Sequence, residues 1–325
     1  MIDRLKGTLS ALGPFAGLAF VYLIFLFAAP DAFHSLYNTK TFFCHAVTIG
    51  IAAVGMTVVI IAGGIDLSVG SMIALGTVTT ALVLEHATGD TEPGFLLPFL
   101  AATAGVAVCA LCGLVSGCVV SFMRIVPFIV TLGMMQILRG IAKGLAKETT
   151  VDPGDSWLDG VMNIEPTPGA WYSIAPGVWL LLGLTLLMAG VLRYTAFGRY
   201  VFAIGSNEAT ARLCGIRVGL TRIWVYTLCG ALTGVASVMQ FAELTLGDPT
   251  AATGMELDII AAVVIGGGSL NGGEGSVLGS LVGALIIAVL RNGCNLIGIP
   301  NYVQGIVIGL IIIAAVGLDR LRHNS

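Results

Sequence analysis

Asp66 is the residue to account for first. It stands in the passage GGIDLSVG, residues 63–70, and it is the one formally charged side chain between Thr41 and Leu84. An acid in so apolar a run can do three things. It can cap the helix that follows, since Leu67 and Ser68 come next and a carboxylate accepts from the free amides of a first turn. It can make a contact between helices, or it can mark a substrate or proton path. Its neighbours Gly63, Gly64, Ser68 and Gly70 add backbone freedom and a hydroxyl, so the passage reads as a break in an apolar helix.

A second break echoes the first. VVIIAGGIDLSVGS, from Val58 to Ser71, aligns without gaps on VVIGGGSLNGGEGS, from Val263 to Ser276. This pairs Gly63 with Gly268, Asp66 with Asn271 and Gly70 with Gly275. Unpaired backbone groups at such breaks cannot be left in lipid, so both must face protein or water. Further polar residues, Gln240, Glu243, Asp258, Arg291 and Asn295, lie near the edges of apolar stretches, where interfacial hydration and a solute path are both open readings.

A third candidate is the segment from Arg193 to Arg222. Ser206 and Asn207 can cap a short helix over 209–214, and Gly215 is placed to end it. Flanking arginines leave two readings: an amphipathic stretch on anionic headgroups, or a docking element for a cytoplasmic partner.

Other chemistry is missing from the sequence. It contains no phosphate-cradling G-x-x-x-x-G-K-[ST] loop, no G-x-S-x-G elbow and no H-E-x-x-H pair. The seven cysteines and four histidines lack metal-ligand spacing. The cysteines read as small apolar side chains packed between helices.

The elements that must position these residues follow from composition. Of 325 residues, 57% are hydrophobic and 10% charged, and the mean hydropathy is +0.98; soluble domains carry about 25% charged residues. The expectation is an all-α polytopic integral membrane protein. About ten spans are predicted, at 11–29, 42–62, 68–84, 95–121, 125–142, 177–192, 223–241, 255–267, 275–293 and 302–318. The 44 glycines suit close helix approach. The first stretch reads as a span rather than a cleaved signal, because Ala28-Ala29-Pro30-Asp31 is a poor cleavage site.

With both termini cytoplasmic, ten of the fifteen Lys and Arg residues fall inside. Lys40, Arg139, Lys143, Lys147 and Arg291 fall outside. The chain then forms one transmembrane domain over 1–325, with an outer (periplasmic) loop at 143–176 and a cytoplasmic loop at 193–222. Trp157, Trp171 and Tyr172 of the outer loop suit the interfacial belt.

Four ordered passages carry a resemblance: 53–76, 126–142, 197–218 and 256–286. Together they resemble the membrane permease subunits of bacterial ABC sugar importers of the ribose, xylose and galactose type. The resemblance implies a pore subunit of the bacterial inner membrane that passes a monosaccharide and hydrolyses nothing. Implied partners are a cytoplasmic ABC ATPase, a periplasmic sugar-binding protein, a second permease subunit and the lipid bilayer, with no nucleic acid. ATP and Mg belong to the ATPase, so this chain holds no cofactor and no metal. The implied coupling residues are Gly205, Ser206, Asn207, Glu208, Ala211, Arg212, Gly215 and Arg217. The helix-break and pore candidates remain Gly63, Gly64, Asp66, Ser68, Gly70, Gly268, Asn271 and Gly275. Rival readings are a permease of the same superfamily for a branched-chain amino acid or nucleoside, an ion-driven transporter coupled through Asp66, and a membrane scaffold.

Overall fold

A computed structural model of the chain describes residues 2–88, 94–165 and 173–323. Asp90, Glu92, Pro166, Pro168, Trp171 and Tyr172 lie outside the described residues. Twelve α-helices are described: α1 (Ile2–Ala28), α2 (Leu36–Ile61), α3 (Val69–Thr88), α4 (Leu96–Met123), α5 (Pro127–Leu145) and α6 (Pro176–Tyr194), then α7 (Ala196–Ser206), α8 (Glu208–Leu213), α9 (Val218–Leu244), α10 (Met255–Ile265), α11 (Val277–Ile297) and α12 (Asn301–His323). Each of the ten predicted spans is occupied by one helix. Seven of these, α2 to α6, α9 and α11, are long and apolar enough to cross a membrane. Helices α1 and α12 carry shorter apolar runs, Gly13–Ala28 and Asn301–Ala314. The chain is an all-α polytopic membrane protein.

Local chemistry sets the helix starts. Ser35, Thr195, Asn207 and Ser276 each accept a backbone N–H of the first turn that follows, satisfying a donor the helix leaves free. Pro127 and Pro176 stand at first helical positions, where their missing N–H costs nothing.

Helix α2 lies at the centre, buried along nearly its whole length against α9, α11, α10 and α6, while α3, also mostly buried, packs on α4, α9 and α5. Helices α4, α5 and α6 keep most of their surface outward, and that surface is apolar: Leu111, Phe128, Ile137 and Leu186 are exposed. Such a face needs lipid against it. The tightest seam joins α4 to α9. Gly113 on α4 meets Gly230 on α9, while Gly117 lies on Ile223 and Tyr226 and Gly234 on Val106 and Cys109, the glycines of each helix being spaced as G-x-x-x-G. A methyl group on Gly113 would run into the Tyr226 carbonyl and sit 3.1 Å from Gly230 Cα.

Helix α10 differs from its neighbours. Its 11 residues span about 16 Å, half the roughly 30 Å of hydrocarbon. The irregular chain before it, 245–254, runs down α3 in the opposite direction. Gly247 lies against Val78 and Ala81, and the Ala252 carbonyl lies against Gly70 at the start of α3. Arg139 of α5 holds this segment, donating to the carbonyls of Pro249 at 3.0 Å and Ala251 at 2.8 Å. From the 143–176 loop, Val151 pairs with Gly247 through two backbone bonds of 2.8 Å. The same loop forms a 3₁₀ turn at Trp157–Met162. Trp157 there stacks on Phe95 with ring centroids 5.1 Å apart and donates to the Phe95 carbonyl.

Candidate translocation and coupling site

The first break lies between α2 and α3. Helix α2 ends on Gly63 at φ +78°, with Gly63 N–H donating to the Ile60 carbonyl and Gly64 N–H to the Val59 carbonyl. This is a Schellman stop, and the positive φ selects glycine. Asp66 is fully buried, and its Oδ1 accepts from the Ser68 amide at 2.9 Å and the Ser68 hydroxyl at 2.5 Å. Its Oδ2 has no partner. Helix α3 starts at Val69, and the Ser68 carbonyl accepts its first helical bond, from Met72 at 2.8 Å. Ser68 therefore holds the cap position, and Asp66 closes a turn two residues ahead of it rather than being the N-cap itself. Tyr226 of α9 stands close by, its Oη also buried and unpaired, 2.6 Å from where a Cβ on Gly64 would lie.

The second break, between α10 and α11, repeats the device in a shifted register. Gly267, at φ +92°, donates to Val264, and Gly268 donates to Val263. The structural equivalents are thus Gly63 with Gly267 and Ser68 with Ser276, not the pairs of the gapless alignment. The reason is length: four residues separate the left-handed glycine from the capping serine in the first break and eight in the second. The extra residues form a tight loop, with Gly272 N–H on the Ser269 carbonyl and Ser269 N–H on the Glu274 carbonyl. Asn271 sits in that loop, its amide 3.4 Å from Ser269 Oγ. Gly275 packs on the Ile61 side chain.

The 193–222 segment folds into two short helices, where sequence predicts one. Asn207 ends α7 and caps α8 by accepting from Thr210 at 2.9 Å. Gly215, at φ +82°, closes α8 with bonds to Arg212 at 3.0 Å and from Ile216 to Ala211 at 3.1 Å, a second use of the Schellman stop. Ala211 is buried with Ile204 and Val218 in a small separate core. Glu208 is gripped by Arg212 at 2.5 Å and by Arg222. Partial burial works against the Glu208 carboxylate, but the two arginines outweigh it and hold its pKa below the ordinary value. Ser206, Asn207, Arg212, Leu213, Gly215 and Arg217 stay exposed, Leu213 at 89%.

These three segments meet. Gly273 N–H of the second break donates to the Ile61 carbonyl at the end of α2, at 2.8 Å. A Cβ on Gly205 would strike that same carbonyl and lie 2.5 Å from Gly273 N. A Cβ on Gly272 would lie 2.9 Å from both Gly63 Cα and the Gly205 carbonyl. Three bare backbones are stacked at one point.

Away from this junction, α2, α9, α10 and α11 border a half-open cavity of about 440 Å³ with both polar and apolar walls. Its lining includes His45, Thr48, Gln240, Glu243, Asp258, Arg291, Asn292 and Asn295, with Thr250, Ala252 and Thr253 of the irregular segment. Arg291 pairs with Asp258 at 2.5 Å, and His45 with Glu243 at 3.0 Å. Asn295 Oδ1 accepts from Gln304 at 2.7 Å.

Residues 38–316 match the family described as branched-chain amino acid transport system / permease component. The chain belongs to this permease family. Among curated relatives, the permease is 42% identical to the ribose import permease protein RbsC of Escherichia coli K12, over 84% of this chain and 82% of that one. It is 35% identical to RbsC of Bacillus subtilis 168, over 97% of this chain and 94% of that one. It is 34% identical to the L-arabinose transport system permease protein AraH of E. coli K12, over 85% and 80% of the two chains. No solved structure matches.

The structure brings Gly205, Ser206, Gly63 and the Gly272–Gly273 pair of the permease together, while Asp66, Ser68 and Gly70 sit deeper, against α9 and α10. Sequence reasoning passed over Tyr226, His45, Thr48 and Asn292. The available signal was polarity on otherwise apolar spans, which names a residue without saying which neighbours it faces.

Proposed function

We propose that the permease is the transmembrane pore subunit of an ATP-driven importer, passing a monosaccharide across the bacterial inner membrane while a separate chain hydrolyses ATP. Under this reading the sugar arrives from a periplasmic binding protein, and a second permease subunit completes the pore. ATP and Mg stay on the ATPase, and this chain needs no cofactor. The whole chain acts as one transmembrane domain with both ends in the cytoplasm, the 143–176 loop outside and the 193–222 segment inside.

One observation carries the mechanism. The α7–α8 unit touches both helix breaks through Gly205 and Ser206, so a partner that moves α8 moves the ends of α2 and α10 with it. Exposed Leu213 and Arg212 are the surface offered to the ATPase; Glu208 and Ala211 hold the unit's shape. Similarity to permeases named for ribose and arabinose favours a sugar over the amino acid in the family's description.

Reconstitution in proteoliposomes with the ATPase and binding protein tests this. ATP-dependent uptake of D-ribose or L-arabinose, abolished by Leu213→Asp together with copurification of the ATPase, is the expected result. Uptake that follows an imposed ion gradient with no ATPase present would instead place the coupling at Asp66, as a secondary transporter requires.

A further inference from the structure

The cavity between α2, α9, α10 and α11 is walled in part by irregular chain rather than by helix alone. Irregular backbone such as 245–254 is tolerated at membrane depth only where it is buried in protein or lines a water-filled space, and Thr250, Ala252 and Thr253 line this one. Two lining residues, Thr48 and Asn292, are more than nine-tenths buried, yet Thr48 Oγ1 and Asn292 Oδ1 have no hydrogen-bond partner among the described residues. Native proteins rarely leave such groups unpaired without a missing water or ligand. The volume falls within the roughly 300–1,000 Å³ of small-molecule sites.

The lining also says what kind of molecule fits. Each acid already faces a base, Asp258 with Arg291 and Glu243 with His45. The lining cations are matched one to one by acids, so an amino-acid carboxylate would have to compete with Asp258 for Arg291 or with Glu243 for His45. The groups left over are the hydroxyl of Thr48 and the amides of Gln240 and Asn292, neutral donors and acceptors that match a polyhydroxylated molecule. No Phe, Tyr or Trp ring lines the cavity, so a sugar ring finds no stacking platform and is held loosely. Passage requires binding weak enough to release.

We infer that this cavity is the station where the imported monosaccharide rests within the permease, held by Thr48, Gln240 and Asn292 between the two ion pairs. The inference rests on the monosaccharide reading above and adds the place and the contacts.

The test compares wild type with Thr48→Val and Asn292→Leu, near-isosteric changes that remove only unpaired polar atoms. In the reconstituted importer, the double variant should lose at least tenfold in initial D-ribose uptake while still copurifying with the ATPase. A second measurement needs no partner: saturation-transfer NMR of D-ribose on the purified permease should show contact with wild type, less with Thr48→Val alone, and none for L-leucine. Normal uptake and unchanged NMR contact in the variants overturn the cavity assignment while leaving sugar import standing. Wild-type transport of L-leucine and not of D-ribose or L-arabinose overturns the monosaccharide reading itself, and the inference with it.

Discussion

Asp66 shows how a single side chain can be buried without being idle. Its Oδ1 takes two donors from Ser68, and an intramolecular hydrogen bond contributes about 0.5–1.5 kcal/mol. Asp66→Asn keeps an acceptor in the same place and is expected to retain transport; Asp66→Leu removes it and should lower the melting temperature of the purified permease measurably. Loss of uptake in Asp66→Asn with unchanged melting would instead assign Asp66 to the path. Gly64 and Tyr226 give a second residue-scale expectation. Gly64→Ala pushes a methyl into Tyr226 Oη, an overpacking cost of about 1–3 kcal/mol. Tyr226→Phe removes a hydroxyl that bonds nothing, so by itself it should be near neutral, and combined with Gly64→Ala it should restore melting.

Glu208 adds a pH dependence with a definite sign. Its carboxyl pKa is lowered by Arg212 and Arg222. The stabilisation is therefore fully present above the ordinary carboxylate value, about 4.3, and is lost as pH falls through the lowered folded value. A spin label on exposed Cys214, in a variant lacking the other cysteines, should be less mobile at neutral pH and loosen only below the ordinary carboxylate range. Glu208→Gln should be loose throughout. The cap on Asn207 and the stop at Gly215 were legible in the sequence because they depend on neighbours in the chain. The Arg222 half of the grip was not, since it comes from the next helix.

At the scale of elements, the spans were legible from apolar length alone, and the breaks from glycine within apolar runs. The register between the breaks was not. A gapless match of Val58–Ser71 on Val263–Ser276 pairs letters, whereas the equivalence is set by which glycine takes positive φ and which serine caps. That α10 is a half-helix was also hidden, because an eleven-residue run that is apolar but for Glu256 and Asp258 reads equally as a short span. The α4–α9 seam carries the clearest element-scale expectation. Gly113→Leu meets main chain of α9 at Tyr226 and Gly230, which cannot move aside as a side chain can. The variant should fail to yield monodisperse permease in detergent, while Gly133→Leu on α5, facing open space, should purify normally.

For the whole molecule, the outward faces of α4, α5 and α6 are apolar surface with lipid as their natural cover. Trp179 and Trp224 are both more than half exposed. In single-tryptophan variants, brominated acyl chains should quench both more strongly than Trp157, which is stacked on Phe95. The cavity was beyond the reach of the sequence. Gln240, Glu243, Asp258, Arg291 and Asn295 can be picked out as polar residues near span edges, but only the packing of four helices puts them around one space.

The stack of Gly63, Gly205 and Gly272 has a further meaning for how displacement passes through the chain. Side chains are the compliant part of a packed interface, able to change rotamer and absorb a small shift before the backbone responds. Where main chain rests on main chain, that slack is absent. Under the proposed coupling, a push on the exposed turn at Leu213 would reach both breaks with little backlash, as in a linkage whose pivots have no play, and enlarging any one of the three glycines would jam it.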